Sequence, residues 1–266
     1  MRCITSVRNV GLRSRLQAVA PQVGDAANTY ASLAALGELH LVQQTKGVAD
    51  IVSNQEMVDV YEYRMARQGS AGRSVYDALR ALPGGGICPY CAHRVVSTLD
   101  HVLPKYLFAE LAVTPDNLVG ACKDCNHAKT DDAPTNAEDA PLHPYFDDIS
   151  SRRWLHATVV EGTVAVVSFC VVAVDGWSDQ LNRRIRHHFE QLGLATLYSL
   201  QAAREIAGQR VNMARIYSAR GSGGVQEELR HQERSWEALC LNSWQAATFR
   251  ALSRSEWYCA GAFGAA

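Results

Sequence analysis

The stretch that most constrains this chain runs from Ile87 to Thr130 and holds two Cys-x-x-Cys pairs, Cys88/Cys91 and Cys122/Cys125. A Cys-x-x-Cys on a tight turn presents two thiolates to one ion, and two such turns complete the tetrahedral four-sulfur set that structural zinc prefers. Four ordinary buried cysteines or two redox pairs are the competing readings, but redox Cys-x-x-Cys motifs usually come singly and beside a βαβ pattern, which this sequence lacks. Four thiolates leave no open position on the ion, so the expected site is closed and structural. The thirty residues between Cys91 and Cys122 leave room for a hairpin and a return strand.

Chemistry enters with the residues between and after the cysteines. Asp100-His101 follows Arg94–Ser97, which reads as a short hairpin arm, and so falls at a strand end. A carboxylate beside an imidazole there can divide two tasks, Asp100 binding a hard cation and His101 taking a proton from water. Asn126 directly follows the last cysteine, where a helix is expected to begin, and its side-chain oxygen can join Asp100 on the same ion.

In order, the segment reads Cys88-Pro89-Tyr90-Cys91, Asp100-His101-Val102-Leu103-Pro104, Asn117-Leu118 and Cys122-Lys123-Asp124-Cys125-Asn126-His127-Ala128-Lys129. This order resembles the HNH endonuclease family, whose fold is a ββα-metal finger. The resemblance implies that His101 is the general base, that Asp100 and Asn126 hold one catalytic Mg²⁺ or Mn²⁺, and that Asn117 orients His101. It also implies a phosphate-binding role for Lys129, about one helical turn after Asn126. Where the family name implies a third histidine, this chain has Asn126 with His127 beside it. Asn126 is the favoured ligand, and a contribution from His127 stays open. The activity implied is hydrolysis of nucleic-acid phosphodiester bonds, with DNA the expected substrate. The setting implied is anti-phage defence or restriction. The alternative is a zinc-dependent module that binds nucleic acid or protein and has lost catalysis.

Composition sets the limits around this segment. At 266 residues, 47% hydrophobic and 20% charged, the chain can bury a sizeable core, and its formal net charge of −1 provides no global field toward nucleic acid. A local patch or a partner is then expected to hold the substrate, and low charge with large flanks suits a nuclease subunit governed by a regulatory partner such as an ATPase. The other four cysteines, Cys3, Cys170, Cys240 and Cys259, are scattered, which fits a reducing compartment. With no signal-peptide pattern at Met1–Thr5, and Val164–Val174 too short to span a membrane, a cytoplasmic protein is expected.

The fold class expected is α+β, a ββα-metal finger embedded in a mostly helical protein with one β-hairpin. Residues 1–86 read as a helical lead-in, with a break near Pro21, an N-cap at Asn54 and a further helix over Ser70–Leu82. Residues 87–150 form the finger, in which His143 reads as part of a packed crossing. Residues 151–266 hold a hairpin around Glu161-Gly162-Thr163, expected to cover one side of the finger, and then three helices. The first of these carries the basic cluster Arg183, Arg184, Arg186, His187 and His188, a candidate phosphate contact. The second ends in a flexible turn at Arg220–Gly224, and the third runs from Val225 to about Leu252 with Trp236, Cys240 and Trp244 on one face.

Overall fold

The computed structural model describes residues 2–264, and the chain divides into two compact units, Met1–Asp147 and Asp148–Ala266. The first opens with helices α1 (Arg2–Thr5), α2 (Val10–Ala18) and α3 (Ala20–Leu36). The side chain of Asn9 caps α2 through the Leu12 amide. Pro21 sits in the first turn of α3, where its missing N–H costs nothing, so the break falls at Val19. A two-residue ladder that the sequence reading did not foresee follows, β1 (Gly47–Val48) with β2 (Val52–Ser53). Helix α4 (Asn54–Tyr61) is capped by Ser53, one residue before the expected Asn54. Ser53 and Glu56 form a capping box, and Arg15, 2.6 Å from Glu56, holds that carboxyl down at about 2. A π-helical turn (Glu62–Ala66) leads to α5 (Arg73–Arg80).

The finger follows in the same unit. Strands β3 (Thr98–His101) and β4 (Leu118–Ala121) pair antiparallel, Asp100 opposite Val119 and His101 opposite Leu118, and α6 (Lys123–Ala128) completes a ββα motif. Lead-in and finger share a core: Tyr61, Met65 and Tyr76 pack with Leu99 of β3 and Leu118 of β4. The boundary expected at 86/87 therefore runs through the first unit. Gly120 permits the close fit, because a Cβ there would lie 3.0 Å from both the Arg80 carbonyl and the Pro83 ring.

In the second unit, β5 (Leu155–Val160) and β6 (Val166–Val171) form the expected hairpin. It packs on helices of its own unit, β6 on α8 (Leu194–Leu239) and β5 on α9 (Trp244–Arg254). Helix α7 (Asp179–Gln191), capped by Ser178, splits the basic cluster: Arg183 and Arg186 are exposed, Arg184 and His188 buried. Within α8, Gln209 Nε2 donates to Gln232 Oε1 at 3.2 Å. On a straight helix these residues would lie roughly 35 Å apart. The chain therefore reverses between them, at Gly221, whose φ of 63° and ψ of −162° are non-helical.

The long last helix also needs correction. It stops at Leu239, Cys240 is exposed, and Ser243 caps α9 through the Ala246 amide. Asn242 fixes the break by accepting from the Trp154 and Leu155 amides and donating to the Ile149 and Arg152 carbonyls. The tail from Tyr258 in α10 (Glu256–Cys259) to Phe263 tucks in as expected, with both of those aromatic residues buried. Among the described residues no helix is long and apolar enough to cross a membrane.

The torsions at Gly221 are open almost only to glycine, while the space around it is empty. Gly221→Ala is expected to lower stability in urea unfolding by about 1–3 kcal/mol through backbone strain alone. Gly223→Ala, two residues on in helical backbone, is expected to raise it by up to about 1 kcal/mol. Equal effects at the two positions would count against the reversal.

Candidate active site

Four sulfurs anchor the site. Cys88, Cys91, Cys122 and Cys125 are buried and their Sγ atoms all lie within 4.8 Å of one another. The Arg94 amide donates to Cys91 Sγ and the Cys125 amide to Cys122 Sγ, each at 3.4 Å. Hydrogen bonding with Cys125 and Cys88 pushes the Cys91 thiol down. A compact, closed, all-sulfur set fits zinc in both donor type and number. Across the knuckles, Arg94 pairs with Asp124 of α6 at 2.7 Å.

Asp100 and His101 are neighbours on β3, so the pleat sends their side chains to opposite faces. Asp100 is buried, and its Oδ2 accepts from the Tyr90 hydroxyl at 2.7 Å and meets Lys129 Nζ at 2.7 Å. Burial pushes the carboxyl up, and Lys129 and Tyr90 pull against that. Both contacts fall on Oδ2. Tyr90 went unnoticed in the sequence because it occupies an ordinary x position of the first Cys-x-x-Cys, yet from there the cysteine turn reaches the carboxylate directly.

Lys129 is placed differently from the phosphate-binding role expected of it. Its ammonium serves Asp100 Oδ2, the His101 carbonyl at 2.8 Å and the Val102 carbonyl at 2.9 Å, and the residue is buried. Three N–H donors meet three acceptors, tying α6 to the end of β3. Asn126 lies one turn earlier on α6 and is half-buried, on the same helix face as Lys129 by the three-residue spacing, while His127 is exposed.

His101 faces the lead-in. Its ring packs edge-on against Tyr61, centroids 4.4 Å apart, and Nε2 lies 2.9 Å from the Ala112 carbonyl. A carbonyl only accepts, so Nε2 carries the proton and Nδ1 keeps the lone pair. Burial, reinforced by Lys105 and Lys129, pushes the imidazole down to about 3, against the pull of the Ala112 carbonyl. The ring is therefore neutral and its base nitrogen is Nδ1.

Asn117 acts at one remove from His101. Its Oδ1 accepts from the Leu103 amide at 2.7 Å, and its Nδ2 donates to the Leu103 and Leu111 carbonyls at 2.9 and 3.3 Å. This clamp closes the loop whose next residue, Ala112, holds the imidazole. His143, fully buried, contributes to the same turn: its Nδ1 accepts from the Tyr145 amide, and its Nε2 lies 2.8 Å from the Asp116 carbonyl and 3.0 Å from the Tyr30 hydroxyl. It is the packed crossing expected of it.

Comparison with known proteins bears on residues 88–132, which match the family model described as HNH endonuclease. Over its length the chain is similar to Protein ea31 of Escherichia phage lambda, 25% identical over 275 residues that cover 96% of this chain and 93% of that protein. No solved structure matches.

Removing one partner of a buried ion pair strands the other charge. Lys129→Met is expected to cost about 3 kcal/mol or more in urea unfolding, since both side chains are under a tenth exposed. A cost below about 1 kcal/mol would mean that the pair is solvated. For His101 the folded value lies below the unfolded one, roughly 6.5. Between about 6.5 and about 3 only the unfolded chain takes up the proton, so this residue's share of stability is lost as pH falls through that window. Imidazole ¹⁵N spectra are expected to show a neutral ring protonated at Nε2 from neutral pH down to about 5. An imidazolium signal at pH 5 would overturn the assignment.

Proposed function

We propose that this chain, which carries an HNH-like endonuclease domain at residues 88–132, is a metal-dependent nuclease that hydrolyses phosphodiester bonds, with DNA as substrate. The observation that carries the reading is the division of labour at the end of β3: a neutral imidazole with its lone pair on Nδ1 on one face, and an oriented carboxylate on the other.

In-line displacement needs the attacking and leaving oxygens on opposite sides of phosphorus. His101 takes a proton from water through Nδ1, the water oxygen bonds to phosphorus, and the bond to the leaving oxygen breaks. Ala112 keeps the imidazole in the tautomer this requires, and Asn117 holds the loop that carries Ala112. On the opposite face, Asp100 Oδ1 and the Asn126 side-chain oxygen would hold Mg²⁺ or Mn²⁺, a donor set that suits a hard cation retaining several waters. When bound, that cation stabilises the charge growing on the phosphate and the leaving oxygen.

The defence or restriction setting rests on family resemblance, and full-length likeness to a phage protein adds nothing to it. A zinc-dependent binding module without catalysis is the alternative, and His101 separates the two. Zinc-loaded protein with Mg²⁺ or Mn²⁺ is expected to nick or linearise plasmid DNA. His101→Ala is expected to lower the rate at least about a hundredfold with zinc content and fold retained, and Asp100→Ala to lower it as much while also costing stability, because it strands the buried Lys129 charge. Cleavage that persists in both variants would reject the assignment. A folded, zinc-loaded wild type that binds DNA without cutting it would favour the binding module.

A further inference from the structure

With the donors of Lys129 directed to Asp100 and two carbonyls, the expected phosphate contact at this site needs another cation. We propose that Lys105, with the Tyr106 ring beside it, is the contact that seats the nucleic-acid strand. This inference rests on the nuclease reading above.

Lys105 directly follows Pro104, in the loop that leaves the end of β3. Its Nζ lies 5.7 Å from the centroid of Tyr61, the ring that packs at 4.4 Å against His101. Laid end to end, these distances cap the separation from the imidazole at about 10 Å, close enough for one strand to reach both.

The surroundings suit a strand. Lys105 Nζ sits 4.5 Å from the Tyr106 centroid, and Tyr106 is 49% exposed. An ammonium beside an open aromatic face is the pairing that single strands and frayed ends use, charge for the phosphate and ring for a base or sugar. The Glu62 carboxylate stands 3.9 Å from the ammonium, at the limit of an ion pair, with 19% of the Lys105 side chain and 41% of the Glu62 side chain exposed, a long pair of modest strength that a phosphate can replace. The loop is also held firmly. Asn54 Nδ2 donates to the Tyr106 carbonyl, the Leu107 and Phe108 amides donate to the Pro104 carbonyl, and the Thr45 amide donates to the Leu107 carbonyl. Of the finger's other cations, Arg94 is paired with Asp124, and Lys123 is exposed in the first turn of α6.

The test uses the full, zinc-loaded chain carrying His101→Ala, which removes the proposed base, and a short fluorescein-labelled DNA duplex and its single strand. Anisotropy is measured over a salt series. Adding Lys105→Ala is expected to weaken binding roughly fivefold or more and to lower the slope of log K against log salt by about one. Lys105→Arg should restore the slope, and Tyr106→Ala should weaken binding with the slope kept. If the protein binds DNA and Lys105→Ala leaves affinity and slope unchanged, the assignment to Lys105 is wrong while the nuclease reading stands. If the unmodified protein neither binds nor cuts DNA, both fall together.

Discussion

Four sulfurs gathered within 4.8 Å hold what the rest of the finger is too small to hold for itself. Strands β3 and β4 have four residues each and α6 has six, lengths at which neither a lone ladder nor a lone helix persists in water. Closing both Cys-x-x-Cys turns on one centre brings the start of the segment against the start of α6. From that fixed point Tyr90 reaches Asp100, and α6 delivers Lys129 to the same carboxylate oxygen. The second support comes from outside the finger, from Tyr61, Met65 and Tyr76 packing under Leu99 and Leu118. One face of β3 thus leans on the sulfur site and the other on the helical lead-in.

Residue type and spacing made the cysteine set legible, because a four-sulfur centre needs particular side chains at particular intervals, and the same logic marked Asp100, His101 and Asn126 as candidates. The partners that tune them were hidden for definite reasons. The group that orients His101 is a main-chain carbonyl, which every residue possesses, so no letter at position 112 advertises it. Asn117 was expected to orient His101, and its three bonds run to the loop at Leu103 and Leu111 and not to the imidazole. Lys129 looked available because sequence gives helix face and not acceptors; three oxygens happen to converge there. In the second unit the glycine-rich run read as a loose turn, whereas a single torsion at Gly221 reverses the helix. The stop after Leu239 depends on Asn242 reaching residues some ninety positions away, which periodicity cannot see.

The buried Asp100–Lys129 pair gains little stability from its own attraction, because both charges leave water. Its effect is geometric: Tyr90 and Lys129 converge on one oxygen, which fixes the carboxylate plane and leaves the two oxygens of one side chain chemically distinct. A carboxylate in solution spins between equivalent orientations, and this one has a front and a back.

The bond from His101 to the Ala112 carbonyl has an evolutionary side. Side-chain orienters are lost by one codon change, whereas a main-chain oxygen is kept by almost any residue at its position. Substitution at position 112 is thus limited by room and not by chemistry, since Ala112 is fully buried in the core and a larger side chain would displace its carbonyl. The vulnerability moves to Asn117, whose amide is matched to three loop groups that hydrophobic or acidic side chains cannot serve together. In descendants of this chain, an intact His101 beside a changed Asn117 would mark a lineage whose finger has been kept for its shape.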